Sequence, residues 1–368
     1  MRMHETERVD TIVIGGGQAG LSVGYHLARR DDPFVILDAS ARIGDSWRSR
    51  WDSLRLFTPG RFDGLDGMAF PAGAHSFPTK DAMGDYLDAY AARFRLPVRS
   101  GVEVDGLSKQ GDRFLVAAGD RRFEADQVVV AMSNYQKARV PAFASELDPR
   151  IFQLHSADYR NPAQLRAGGV LIVGAGNSGS EIGMELARHH TTWLSGRDTG
   201  HIPFRIGGFA ARAFLARLAL RFVFHRVLTV ATPVGRKARP KVISKGGPLI
   251  RVMPADMAAA GIMRVPRMTG VRDGLPLLDD GRTLDVANVV WCTGFRQVFD
   301  WIDLPILDRD GWPAEYRGVV ESAPGLFFCG LSFQYAFSSM VFPGVGRDAD
   351  YIAGKIGSRS RSTVPAAA

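Results

Sequence analysis

Two glycine triplets have the spacing that could do chemistry: Gly15-x-Gly17-x-x-Gly20 and Gly174-x-Gly176-x-x-Gly179, offset by 159 residues. Glycines placed this way hold a pyrophosphate. The first makes a tight turn, the second lets the backbone approach the ligand, and the third lets a helix pack close to a strand. The phosphates then rest on unpaired N–H groups of the helix that follows, opened by Gln18 and Ala19 in one unit and by Asn177 and Ser178 in the other. Eighteen residues past the third glycine the units part company, with Asp38 in the first and Arg197 in the second. An acid there accepts hydrogen bonds from ribose hydroxyls, whereas an arginine accommodates a 2′-phosphate. The second unit, ending in Ser195-Gly196-Arg197, therefore favours NADPH. NADH stays open as its alternative, because Asp198 adjoins the arginine.

The elements that must position these glycines lie around them. Val9 to Ile14 and Val170 to Val173 are apolar runs with strand-like β-branched content. Helical stretches follow each triplet, and Phe34 to Leu37 and Thr191 to Ser195 are the second strand of each unit. Further along, residues 58–78 read as a long ordered loop, and Asp81 as the cap of a helix carrying Met83, Tyr86, Leu87 and Tyr90 on its apolar face. Strand pairs are expected near 98–107 and 113–118, and a buried strand at Gln127 to Ala131. Residues 207–230 are apolar and helical, but at 100° per residue Arg212, Arg217, Arg221 and Arg226 fall on no single face. Residues 236–241 read as a solvated loop. Val286 to Cys292 and Leu326 to Cys329 are late strands whose cysteines could be neighbours, and the last helix starts near Arg347.

A chain of 368 residues can hold two cores, and 46% apolar with 23% charged residues is ordinary for a globular protein. The stretch before Val9 is polar and carries acids, unlike a signal or transit peptide. Two cysteines make neither a disulfide framework nor C-x-x-C, which suits a reducing cytoplasm. The eight histidines are scattered without metal-ligand spacing, so no metal site is expected. The net charge of +8 is read as a solubilised surface, arginine being distributed along the whole length; no nucleic-acid partner is expected. No Ser-His-Asp set, paired carboxylates or metal cluster marks a catalytic residue, so a bound cofactor must carry the reaction.

Taken together, the two units, Gly44-x-x-Trp47, His155-Ser156-Ala157-Asp158-Tyr159-Arg160, Cys292-Thr293-Gly294-Phe295 and Gly344-x-Gly346-x-Asp348-Ala349 resemble the class B flavoprotein monooxygenases. The branch is that of compact bacterial enzymes related to flavin-containing monooxygenases and YUCCA-type plant enzymes. The resemblance implies an α/β fold of two Rossmann-like domains, the NADPH domain inserted in the FAD domain. Residues 1–165 and 286–357 would form the FAD domain, 166–285 the NADP domain, and 358–368 a disordered tail. Gly15, Gly17, Gly20 and Asp38 would hold the ADP part of FAD. Gly44, Trp47 and Thr58 would lie nearer the flavin, with Gly330 and the backbone at Gly346 towards its ribityl or pyrimidine end. Gly174, Gly176, Asn177, Ser178, Gly179, Ser195 and Arg197 would bind NADPH, together with Thr293 and Gly294, whose turn would also form the hinge between domains.

The activity so implied is reduction of FAD by NADPH, then capture of O2 as a C4a-(hydro)peroxyflavin that oxygenates a small amine, sulfide or ketone. Ser322 to Gly346, with no charged side chain, would be the dry wall of that site. Two rivals stand beside it. A dithiol reductase of the thioredoxin-reductase type needs a C-x-x-C that this chain lacks. An NADPH-binding flavoprotein without oxygenation would act as a flavin reductase, an NADPH oxidase or a redox-sensing regulator. For residues 207–230 three roles stay open: a helix packed on the cofactor domains, a substrate lid, or a peripheral membrane contact. No 18-residue uncharged run crosses a membrane, and the oligomeric state is open.

Overall fold

Exposure falls along Glu7–Ile14 from open ends to complete burial at Ile12 and Val13. A strand entering a sheet covered on both faces shows that gradient. In the computed structural model, which describes residues 6–245 and 247–363, this strand is central to a seven-stranded sheet. The spatial order is Val98–Ser100, Phe34–Asp38, Glu7–Ile14, Arg121–Val130, Arg113–Ala118 and Gly106–Gln110. The long strand Arg121–Val130 divides its second edge. Its first half pairs antiparallel with Arg113–Ala118, and its second half pairs in parallel with Leu326–Phe328.

A second, wholly parallel sheet runs Met263–Val265, Thr192–Ser195, Val170–Val173, Asn288–Trp291 and Phe152–His155. Two short strands, Lys137–Ala138 and Phe295–Arg296, pair antiparallel on the two crossings between the sheets. Each sheet carries its own apolar cores, so the fold is α/β with two Rossmann-like units. Among the described residues no helix is long and apolar enough to cross a membrane, and no cluster of His, Cys, Asp and Glu could hold a metal.

Several expectations are corrected. Asn288–Trp291 and Phe152–His155 lie in the second sheet, because the parallel ladder beyond Val170–Val173 is completed only by them; the boundaries expected at 165/166 and 285/286 move outward accordingly. Cys292 therefore follows a strand of one sheet and Cys329 a strand of the other, and they are not neighbours. The 98–107 stretch breaks at Gly101, whose φ of 68° turns the chain, so that Val98–Ser100 extends the parallel edge and Gly106–Gln110 forms a hairpin instead. The cap of helix Lys80–Arg93 is Thr79, which accepts from the N–H of Ala82; Asp81 stands in the first turn, where its charge suits the helix dipole.

Residues 236–241 are helical rather than looped, within Pro233–Lys245, which opens on a proline pre-set for that position. Arg239 anchors this helix to the buried Glu315 and to the carbonyl of Phe333. The last helix begins at Phe342 and continues to Thr363, with a hydrogen bond from Gln127 to the Ser360 hydroxyl. The expectations for residues 1–5 and 364–368 lie outside the described residues. Finally, residues 209–227 form one helix that is largely π-helical. Its i→i+5 bonding brings residues four and five apart onto one face, so the four arginines do share a face after all.

Candidate functional site

What each glycine of the triplets must avoid distinguishes structure from ligand. A Cβ on Gly15, where φ is +109°, would lie 2.8 Å from the carbonyl oxygen of Ala131, and one on Gly20 would lie 1.8 Å from that of Gly15. In the second unit a Cβ on Gly174 (φ +117°) would meet the Cys292 oxygen at 2.2 Å, and one on Gly179 the Gly174 oxygen at 1.9 Å. The chain itself demands these four glycines. By contrast, a Cβ on Gly17 or Gly176 would meet nothing within 4 Å. The middle glycines border open space in front of a helix start, and each helix is capped by that glycine with no side-chain oxygen on its N–H groups. An anion with two phosphates fits such a cradle: it finds free donors, a favourable dipole and no side chain in the way.

The two ribose-reading ends also differ in build. Asp38 accepts from the N–H groups of Gly16 and Ser40, one on each oxygen, which sets its carboxylate beside the first cradle. In the second unit Gly196, at φ +143°, passes so close to the turn that a Cβ would lie 2.7 Å from the Ala175 nitrogen. Arg197 follows, exposed. Arg264 reaches the same strand end from the neighbouring strand, bonding the carbonyls of Leu194 and Gly196. Two arginines thus flank the position that Asp38 holds in the first unit. Arg264 was not legible in the sequence, since only the pairing of Met263–Val265 with Thr192–Ser195 brings it there. Ser195 is fully buried and its hydroxyl is engaged, donating to Pro266 and accepting from the N–H of Met268. Asn177 likewise spends its side chain on Pro248 and Ile250, leaving its backbone for the helix start.

The residues expected on the flavin side have distinct duties. Gly330 packs its α-carbon against Ala19, where a Cβ would come within 2.8 Å, and so draws the wall after Leu326–Phe328 onto the first cradle. Gln18 spans to the carbonyl of Met340 at 3.4 Å, and Trp47 lies 6.0 Å from Phe342. Gly44 and Gly346 are small for packing reasons: a Cβ would strike the Gly84 backbone in one case and the Asp66 carboxylate in the other. Asn134, which the sequence did not single out, ties the wall together. Its amide donates to the carbonyl of Gly330, and its oxygen takes the N–H of Ser332 and the amide of Gln297.

At the hinge the His155 ring contacts the carbonyl of Gly294 at 3.1 Å, Thr293 bonds the carbonyl of Arg139, and Arg50 lies over the rings of Tyr135 and Phe295. Burial holds the His155 imidazole below its usual range, so it is neutral there. Tyr159 bonds Glu185 and is fully buried, a structural link rather than a reactive group. Burial also pushes the Cys292 thiol up to about 12, which removes it as a thiolate nucleophile.

Thr58, buried at 3% exposure, donates to Asp63, which is fully buried. Burial pushes the Asp63 carboxyl from 3.8 up to about 8, against the downward pull of that hydroxyl, and its second oxygen has no partner. A folded-state value above the unfolded one means stability that is full below pH 3.8 and lost as pH rises to about 8. Asp63→Asn keeps the acceptor for Thr58 and removes the titration. Its unfolding free energy should match that of the parent near pH 4 and exceed it near pH 8, by a few kcal/mol. Denaturation series at both pH values check this, and parallel curves for the two proteins would mean that Asp63 ionises freely.

The chain matches the model of the pyridine nucleotide-disulphide oxidoreductases over residues 12–199. The uncharacterized oxidoreductase CzcO-like of Geobacillus kaustophilus is 38% identical over 348 residues, 94% of this chain and 97% of that one. Indole-3-pyruvate monooxygenase YUCCA1 of rice (Oryza sativa subsp. japonica) is 29% identical, the match covering 81% of this chain and 80% of that one. Among solved structures, a flavin-containing monooxygenase from Stenotrophomonas maltophilia superposes with a TM-score of 0.75 at 27% identity, over 96% of this chain and all of that one. With its first cradle and most of its second inside the matched model, and a 38% identical relative along nearly its whole length, the chain belongs to the pyridine nucleotide-disulphide oxidoreductase family, on the branch of the class B flavoprotein monooxygenases.

Proposed function

We propose that the chain is an NADPH-dependent FAD monooxygenase acting on a small amine, sulfide or ketone. The carrying observation is the pair of open glycine cradles with opposite ribose readers, Asp38 at one and Arg197 with Arg264 at the other. The first cradle suits FAD, whose adenosine ribose carries no 2′-phosphate, and the second suits NADPH. When bound, these cofactors supply hydride transfer and oxygen activation. The residues of the chain bind, orient and keep water out. Asp38 fixes the ribose, while the helix starts at Gln18 and Asn177 take the phosphates. The wall from Leu326 to Val345 is mostly buried, and two of its polar side chains bond within it: Gln334 spans Phe328 and Leu331, and Ser339 takes the N–H groups of Tyr335 and Ala336. Arg317 and Arg347 hold the ring of Tyr335 between them at 4.3 and 4.6 Å.

In the overall reaction one atom of O2 enters the substrate and the other leaves as water, with one NADPH and one proton consumed. The test supplies NADPH and air to the FAD-loaded protein with a thioether, a tertiary amine or a cyclic ketone, and counts H2O2 and oxygenated product. Product in proportion to NADPH oxidised is the expected result for one probe class. Complete recovery of the electrons as H2O2 with every class would overturn the oxygenase reading in favour of an NADPH oxidase or sensor.

A further inference from the structure

The helix of residues 209–227 presents three rows at spacings of four and five. Ala211, Ala216 and Leu220 are buried, against Phe62, Ile202, Ile206, Ile250 and Met253. Its end is bonded to the wall loop, with the N–H groups of Ser338 and Phe337 on the carbonyls of Phe224 and Leu228, and the Phe224 and Phe337 rings 4.5 Å apart. The helix is therefore packed on the body of the protein, yet its outer side is uncovered. There Phe209 is 90%, Phe214 58%, Leu218 47% and Phe222 51% exposed. Beside them runs the row of Arg212, Arg217, Arg221 and Arg226, all exposed.

The basic excess of the chain is concentrated in this region. From Thr199 to Ala255 there are eleven Lys and Arg and no acid, which leaves 35 basic against 38 acidic residues in the rest of the chain. Arg205, Arg239 and Arg251 are spent on Asp256, Glu315 and Glu181. Among the described residues Arg212, Arg217 and Arg226 enter no salt bridge. Arg221 carries the row into a cleft of about 650 Å³ whose lining adds Arg29, Arg30 and Arg347 against Asp66 and Asp350. An apolar row flanked by uncompensated cations matches one kind of surface: hydrocarbon beneath anionic headgroups. A second copy fits worse, since apposing two such faces brings the arginine rows together without acids between them.

We propose that this face docks on an anionic lipid bilayer, with Phe209, Phe214, Leu218 and Phe222 entering the interface and the arginine row meeting headgroup phosphates. Docking requires no oxygenation, so it stands or falls apart from the function proposed above. The experiment is co-sedimentation of the FAD-loaded protein with vesicles of equal parts phosphatidylglycerol and phosphatidylcholine, and with vesicles of phosphatidylcholine alone. Binding to the anionic vesicles should be about tenfold or more tighter and should weaken with added salt. Phe214→Ser with Phe222→Ser should reduce it about tenfold or more, and Arg212→Gln with Arg217→Gln similarly, with flavin content and melting temperature kept because these side chains stand in solvent. Failure to bind anionic vesicles at low salt, or equal binding by the phenylalanine double variant, overturns the proposal. So does a dimer in light scattering that Phe214→Ser with Phe222→Ser dissociates, which would assign the face to a second copy.

Discussion

Gly176→Val should give a folded, flavin-bearing protein that NADPH reduces about 100-fold less efficiently or worse, whereas Gly179→Val, three residues on, should not fold. The two glycines belong to one motif but are small for different reasons. Gly176 has extended backbone angles, φ −81° and ψ −170°, which a β-branched residue adopts readily, and its missing side chain borders only open space. Valine there fills the volume that a pyrophosphate needs and disturbs no protein contact. At Gly179 a Cβ would stand 1.9 Å from the carbonyl oxygen of Gly174, on a helix whose packing cannot yield without breaking the turn. Rapid-mixing measurement of flavin reduction by NADPH, alongside thermal melts, separates the two outcomes. Reduction of Gly176→Val at the parental rate would show that the second cradle is not where the nicotinamide nucleotide lies.

Arg197→Ala should lower kcat/KM for NADPH by roughly 10- to 100-fold and leave that for NADH nearly unchanged, the loss expected for one charge-assisted contact to a phosphate. Asp198 does not oppose this reading as its place in the sequence suggests. Its carboxylate turns back to accept from the N–H of Gly200, and its charge acts on Arg264, easing the burial that holds that guanidinium below its usual range. Arg264→Ala should act in the same direction and also cost stability, because its guanidinium bonds two backbone carbonyls of the neighbouring strand end. The comparison is steady-state kinetics with both nucleotides. Equal losses for NADPH and NADH would take Arg197 out of any phosphate contact.

What the residues determined by themselves is the local chemistry of the cradles. Glycine spacing, the apolar run before it and the residue eighteen positions later are all short-range signals, because one βαβ unit makes its own turn and its own anion site. The α/β class and the two units followed from them. Tertiary structure decided everything that depends on which strands meet. Asn288–Trp291 and Phe152–His155 joined the second sheet because a parallel ladder takes strands from distant places in the chain, which no window of sequence displays. Other pairings set Arg264 at the end of Thr192–Ser195, tied Asn134 to the segment after Leu326–Phe328, and closed the Ser195 hydroxyl into buried hydrogen bonds.

The helix of residues 209–227 shows the limit most plainly. Its residues were in view, but the assumed period of 100° scattered the arginines, and the slower winding of i→i+5 bonds lines them up. Helical pitch is set by how buried residues such as Ala211, Ala216 and Leu220 seat on their neighbours, an energy that exists only once the body of the protein is assembled.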